Sequence, residues 1–331
     1  MHIDIKAKKI EPIRQTYSHV ARRIGENKPA TRYQEAVYDL QPVEHFHYRP
    51  SWQPDKELYD ASRTALKMED WYKFLDPRQY YYGTYCMTRA KQQVSTEHNF
   101  KFVKQRKLLS KLSDTIHHQI SQFIIPLRHF EWGANMNNTQ ICAMGYGAAI
   151  TSTAMFNAGD RLGNAQYITQ IGLALSEDDS EILDTAKSDW LDKDIWQGLR
   201  KIVEDSFVVE DWFELFVAQN LVMDGLIHPL FFNQFEEKIN NEGGSSYSML
   251  TEFIVTWDTE TSRWVDKQIQ VATAESEQNK NLVSGWFSAW LTEAEKAILP
   301  LAEAAFENGS EVFEEVKQAL LKRATKVGIN L

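Results

Sequence analysis

The sequence predicts an all-α protein on three observations. Apolar residues recur at three- and four-residue spacing through most of the 331 residues, which is the period of an amphipathic helix. No run of alternating apolar and polar residues marks a strand. The clearest helix runs from Ala158 to Glu177, where Leu162, Ala165, Gln166, Thr169, Gly172 and Leu173 share one face and Ile168, Ile171 and Leu175 another. Both faces are expected to be buried, which puts two neutral polar side chains, Gln166 and Thr169, in the interior at i, i+3. Bundle proteins place a metal-binding Glu and His at that spacing.

Taken in order, residues 1–57 differ from the rest of the chain. Pro12, Pro29, Pro42, Pro50 and Pro54 interrupt them, each removing a backbone donor and biasing its predecessor away from the helix. Tyr33, Tyr38, Phe46, Tyr48 and Trp52 lie between, so the segment is expected to form an extended arm laid on a surface, its own or a partner's. Helical pattern then runs over Glu57–Phe74, and Asp76-Pro77-Arg78 opens a second helix, with Pro77 suited to a first helical position. A long pattern from Arg89 to Trp132 carries Leu109, Leu112, Ile116, Phe123, Ile124, Leu127 and Phe130, with a kink expected at Pro126. Small residues fill 138–156, a turn is expected at Asn157–Asp160, and the Ala158–Glu177 helix completes an antiparallel pair. The acidic run Glu177–Glu181 reads as solvated surface. Further helices are expected over Val203–Leu226, interrupted by Gly225 and Pro229, over Tyr247–Gln270, and as a pair over 281–325 broken near Asn308-Gly309.

Composition excludes several function classes. A hydrophobic content of 43% with 10 Trp, 17 Phe and 13 Tyr indicates a globular chain. The net charge of -10 works against nucleic acid and anionic membranes, which attract basic patches. No apolar run is read as approaching the roughly 20 residues of a membrane span, and Met1–Lys9 lacks a signal-peptide core, so a cytoplasmic location is expected. The two cysteines, Cys86 and Cys142, form neither a disulfide framework nor a zinc ribbon. A Cys142 nucleophile has no supporting partner, and a structural cysteine is the expected role.

Paired long helices with polar interiors invite comparison with di-iron carboxylate proteins, whose site needs a Glu from each of two helices and a Glu-x-x-His from each of two others. The last of nine histidines is His228, so the helix at 247–270 cannot supply that motif. The one Glu-x-x-His, Glu44 to His47, lies between prolines. Asp114 with His117 and His118 has ligand spacing on a helix but no partners, and a hydrogen-bonded or solvated pair is the competing role. Glu131 lies near where a lone carboxylate ligand would fall, though capping or salt bridging suits it better. Glu260 and Arg263, at i, i+3, suit an internal ion pair that satisfies a buried helix face without metal. No nucleophile elbow, phosphate loop or dinucleotide fingerprint occurs.

Four stretches carry a resemblance: Ile10–Thr16, Lys28–Ala36, Phe46–Pro50 and Asp76–Gly83. Together, in this order, they resemble the beta subunit (P1 component) of bacterial multicomponent phenol hydroxylases, with toluene and methane monooxygenase hydroxylases as relatives. The resemblance covers essentially the whole chain. It implies a ferritin-like, ribonucleotide-reductase-like bundle: an arm over 1–57 and a single helical domain over 58–331. It also implies a dimer of alpha, beta and gamma trios that hydroxylates phenol or related aromatics. The alpha chain would hold the di-iron centre, a reductase with FAD and a 2Fe-2S cluster would supply electrons from NADH, and a small regulatory protein would tune turnover. By the same resemblance, the ligand positions of the catalytic chain correspond here to Gln166 and Thr169, to Glu260 and Arg263, to Met136 and to Gln219. No catalytic, cofactor-binding or metal residue carries over.

The expected role is therefore a non-catalytic scaffold, with Tyr33, Tyr38, Phe46 and Trp52 as interface candidates, or else packed on their own domain. Competing roles are a toluene or alkene monooxygenase beta subunit, an enzyme using Asp114, His117 and His118 or Glu44 and His47, and a free-standing helical binding protein.

Overall fold

Among the described residues, the chain folds into helices without strands: α1 (Ser18–Ile24), α2 (Arg32–Val37), α3 (Tyr82–Gln105), α4 (Asp114–Phe123), α5 (Leu127–Met144), α6 (Ala148–Leu175), α7 (Glu181–Asp192), α8 (Asp194–Ser206), α9 (Trp212–Asn241), α10 (Ser245–Glu275), α11 (Glu277–Ala305) and α12 (Gly309–Lys326). This computed structural model describes residues 16–26, 28–40, 49, 51 and 53–331. The antiparallel pair α5–α6 packs with α9 and α10 as a ferritin-like bundle, and α8, α11 and α12 close its other side. One apolar core runs from Leu66 to Ile329, with Trp196, Trp212 and Trp264 fully buried.

Several boundaries differ from the sequence expectation. The α5–α6 turn falls at Gly145–Gly147, where Gly147 has φ 89°, a left-handed value that disfavours other residues. Residues 157–160 are helical, because Asn157 and Asp160 are buried and find side-chain partners across the bundle. The expected Glu57–Phe74 helix is irregular chain with two short 3₁₀ turns, Ala61–Arg63 and Trp71–Lys73. Asp60 and Asp70 cap them by accepting from the backbones of Ser62 and Tyr72 at 2.8 and 3.0 Å, which diverts the backbone from a longer helix. The 89–132 pattern is three helices, with Pro126 immediately preceding α5 instead of kinking a continuous rod.

The largest difference lies in α9. The break occurs before Asp211, whose side chain accepts from the N–H of Phe213 and Glu214 at 2.9 and 3.2 Å. Gly225 and Pro229 then lie inside the helix, since two π-helical stretches, Val217–Met223 and Pro229–Gln234, change the hydrogen-bond register. A Cβ at Gly225 would come within 2.7 Å of Leu320 Cδ1. Contrary to the sequence expectation, α9 is long and apolar enough to cross a bilayer, with 94% of its most apolar window buried inside the fold. The acidic run Glu177–Glu181 is exposed, as expected.

The described part of the arm contains two short helices. Tyr33 is buried against Val37 and Ala149, and its hydroxyl accepts from the Asp76 backbone N–H at 2.6 Å. It therefore packs on its own chain. Tyr38 is half-buried, with the Arg23 guanidinium 5.7 Å from its ring centroid. Phe46 and Trp52, like Glu44 and His47, lie outside the described residues.

Candidate functional site

Four long helices each turn a polar or aromatic side chain into the bundle centre. Glu131 comes from α5, Arg161 and Asn164 from α6, Asp224 and His228 from α9, and Trp257 from α10; all are buried. Arg161 and Asn164 stand at i, i+3 on the inner face of α6, and Asp224 and His228 at i, i+4 on α9, so each pair projects together.

Arg161 is the hub. Its Nη1 donates to both oxygens of Glu131 at 3.0 Å, and Nη2 donates to Asp224 Oδ2. Asn164 Nδ2 donates to Glu131 Oε2 at 3.2 Å, and His228 Nε2 lies 3.1 Å from Glu131 Oε1. The guanidinium carbon sits 4.5 Å from the Trp257 ring centroid, a cation–π contact inside the core. His228 Nε2 also lies 2.9 Å from Arg161 Nη1, where a neutral imidazole accepts a hydrogen bond and a protonated one is repelled. With His228 protonated, two positive and two negative side chains balance.

Electrostatics follow from that balance. Burial works against the Glu131 carboxylate, but Arg161 and His228 hold it down at about 2. Burial alone would lower the His228 imidazole; its hydrogen bond to Glu131 and the nearby carboxylates prevail and raise it above the ordinary 6.5. Burial raises the Asp224 carboxyl, against the pull of Arg161 and His228.

The sign for pH is then fixed. The His228 contribution is fully present below its ordinary value and lost as pH rises through its raised value. The Glu131 contribution is present above its ordinary 4.5 and lost as pH falls through about 2. Stability attributable to His228 should decline by up to about 1.4 kcal/mol per pH unit on the alkaline side of 6.5. Urea unfolding of the purified chain between pH 6 and 9 should show a flatter profile in His228→Gln than in the parent; identical slopes would exclude a charged His228.

Buried amides extend the cluster along the bundle. Gln219 donates to Asp224 Oδ1 at 2.8 Å and accepts from Asn137 Nδ2 at 2.8 Å. Asn138, Asn157 and Asn220 bond one another at 2.9–3.1 Å. On the other side, Asp160 accepts from Arg89 Nε and Nη2 at 2.7 Å, from the Tyr85 hydroxyl at 2.9 Å and from Trp257 Nε1 at 3.0 Å. Trp257 thus joins two ionic groups, its ring under Arg161 and its N–H on Asp160.

This centre does not fit a di-iron group. The guanidinium fills the space between the carboxylates and offers donors only, whereas a metal needs lone pairs. Among the described residues, no group of three or more His, Cys, Asp and Glu side chains is placed to hold a metal ion.

The positions that the sequence selects scatter around it. Gln219 is buried within the network. Gln166 is exposed and Thr169 half-buried, its hydroxyl donating to the Ala165 carbonyl at 2.8 Å; the buried face of α6 instead carries Asn157, Arg161, Asn164 and Ile168. Glu260 pairs with Arg89 at 3.2 Å and accepts from the Tyr80 hydroxyl, while Arg263 is exposed, so the expected Glu260–Arg263 pair is replaced by Glu260–Arg89. Met136 is also exposed. Glu131 is the salt-bridging carboxylate that the sequence favours. His117 Nε2 lies 2.7 Å from the Leu109 carbonyl, while Asp114 and His118 are exposed. Burial raises the half-buried Cys142 thiol, which disfavours a thiolate. Arg161 stands in the sequence as an i, i+3 partner of Asn164, but a register set from Gln166 and Thr169, displaced by five residues and so turned to another face, hides it.

Comparison with known proteins gives a consistent picture. Residues 52–276 match the family described as Methane/Phenol/Alkene Hydroxylase. The chain is 48% identical over 329 residues to the phenol 2-monooxygenase oxygenase component DmpL of Pseudomonas sp. (strain CF600), covering 99% of this chain and 98% of that one. It is 24% identical over 254 residues to the hydroxylase component subunit beta of the toluene-4-monooxygenase system of Ectopseudomonas mendocina, covering 74% and 76%. Among solved structures, the xenon-pressurised phenol hydroxylase of Pseudomonas sp. OX1 superposes with a TM-score of 0.92 at 41% identity, covering 99% of both chains.

Proposed function

The chain belongs to the Methane/Phenol/Alkene Hydroxylase family, and on that premise we propose that it is the beta subunit of a multicomponent phenol or aromatic monooxygenase hydroxylase, a support for the catalytic alpha subunit. In this role residues 58–331 form a single ferritin-like domain and 1–57 an arm. The alpha chain carries the di-iron centre, gamma completes an (alpha-beta-gamma)2 dimer, and a reductase bearing FAD and a 2Fe-2S cluster passes electrons from NADH. A regulatory protein completes the system, in the cytoplasm. The higher identity to a phenol than to a toluene enzyme component favours phenol as substrate class.

One observation carries the non-catalytic role: Arg161 stands where the bundle would need a metal ligand. A guanidinium keeps its charge at any working pH, so it stays paired with Glu131 and Asp224, and a protonated His228 completes the balance. The bundle keeps its polar interior and loses the capacity for redox chemistry there. Co-expression with the neighbouring hydroxylase subunits, followed by native mass measurement and iron counting, tests this. The expected result is a complex whose iron follows the alpha chain after separation, with none retained by this chain. Stoichiometric iron on this chain alone would overturn the role.

A further inference from the structure

One arginine ties the described part of the arm to the domain. Arg23, at the end of α1, uses two edges of its guanidinium: Nε and Nη2 donate to Asp39 at 2.7 and 2.6 Å, and Nη1 and Nη2 donate to Asp70 at 2.7 and 2.9 Å. The Tyr72 ring, its centroid 5.2 Å from the guanidinium carbon, joins the Tyr38 ring beside it. Asp39 lies just past α2, and Asp70 and Tyr72 lie at the second 3₁₀ turn, so one side chain joins α1 to the end of α2 and both to the domain. A guanidinium fork serves two carboxylates at once with a geometry that the point charge of a lysine does not match. Its hydrogen bonds hold both carboxyls below the ordinary 3.8. Asp39 also keeps φ 49°, a left-handed value that costs energy away from glycine.

Little else holds this segment. α1 and α2 have 7 and 6 residues, too short to persist alone. Their buried side chains are Val20, Tyr33 and Val37, and the last two pack with Ala149 in a cluster separate from the main core. Past α2, the Leu40 carbonyl accepts from the Ala148 N–H at the start of α6 at 3.0 Å and from the Tyr72 hydroxyl at 2.6 Å. We propose that the segment carrying α1 and α2 is a strap that opens and closes as one unit, latched by Arg23 in a guanidinium-specific site made of Tyr38, Asp39, Asp70 and Tyr72. The closed strap seats Tyr33 against Ala149, Leu75 and Tyr81 and gives the first N–H of α6 its acceptor. The open strap bares that apolar socket at the start of the helix that carries Arg161. A segment with so few buried apolar contacts opens at a lower cost than the core. The latch is complete within one chain, so it is independent of the subunit role.

Hydrogen exchange of the full chain, read by mass spectrometry, tests the latch. Arg23→Ala removes the group that ethylguanidinium replaces atom for atom. The amides of α1 and α2 should exchange about tenfold faster in this variant than in the parent, while those of α5, α9 and α10 keep parent rates. Ethylguanidinium at about 20 mM, far below the molar range that unfolds proteins, should slow α2 again. Ethylammonium should not, and Arg23→Lys should exchange within about threefold of Arg23→Ala. Asp70→Asn, which keeps the Asp39 pair, should open the strap to an intermediate degree. Parent rates in α1 and α2 of both Arg23→Ala and Asp70→Asn overturn the latch. Rescue by neither cation, or equally by both, overturns the guanidinium-specific site. Faster exchange throughout the chain in both variants would mean that strap and domain unfold together, which overturns the strap.

Discussion

Replacing Arg161 with Met should destabilise the chain by about 3–5 kcal/mol, the range seen when one partner of a buried ion pair is removed. The substitution keeps much of the side-chain volume, so the loss is electrostatic in origin. Glu131, with no exposed surface, and Asp224, at 5% exposure, would then face each other across the cavity with His228 as the remaining counter-charge. Both carboxyls should take up protons in response. A compensating variant separates the charge from the packing: Arg161→Met combined with Glu131→Leu and Asp224→Leu removes every unpaired carboxylate. Apolar replacement of a whole buried ionic group is often neutral or stabilising, so the triple variant should recover most of the loss. Urea midpoints at unchanged m-value measure both steps. A single variant within about 1 kcal/mol of the parent would mean that the cluster is not coupled through Arg161.

The class of fold was legible because helical periodicity is a property of many residues at once, and no local error erases it. Boundaries were less so. Asn157-Ala158-Gly159-Asp160 has the composition of a turn, yet these residues are helical because Asn157 and Asp160 satisfy their side chains across the bundle, a tertiary fact absent from the local sequence. Pro229 reads as a helix stop, yet the π-helical register accommodates it. The centre of the site was half legible. Glu131 and Gln219 stand out in the sequence and are buried, but the register of α6 read from Gln166 and Thr169 lies five residues too far along, on another face of the helix. Apolar spacing alone misleads there, since Leu162 is exposed while the charged Arg161 is buried. A hydropathy pattern scores a buried arginine as surface. Only knowledge of its partners on α5 and α9, 30 and 63 residues away in sequence, reverses the assignment.

The second large effect is a gain. Arg161→Glu with Asn164→His writes a Glu-x-x-His at the spacing a metal-binding bundle helix uses. The new side chains would project toward Glu131, with Asp224 and His228 on the facing helix, giving three carboxylates and two imidazoles around the space now filled by the guanidinium. That donor set suits a divalent first-row ion. Without metal the three carboxylates repel in a buried site, so the double variant should be less stable than the parent. Cobalt(II) should restore it, by about 4 kcal/mol at a free concentration a thousandfold above its dissociation constant, and should give a visible ligand-field spectrum. Asn164→His alone retains Arg161 and should bind none, which ties the gain to removal of the guanidinium. If the double variant melts identically with and without cobalt, the helices no longer present these positions at ligand distance, and chemistry alone does not account for the closed site. If it binds one equivalent, the bundle has kept the geometry of a metal-binding interior, and Arg161 is the residue that closes it.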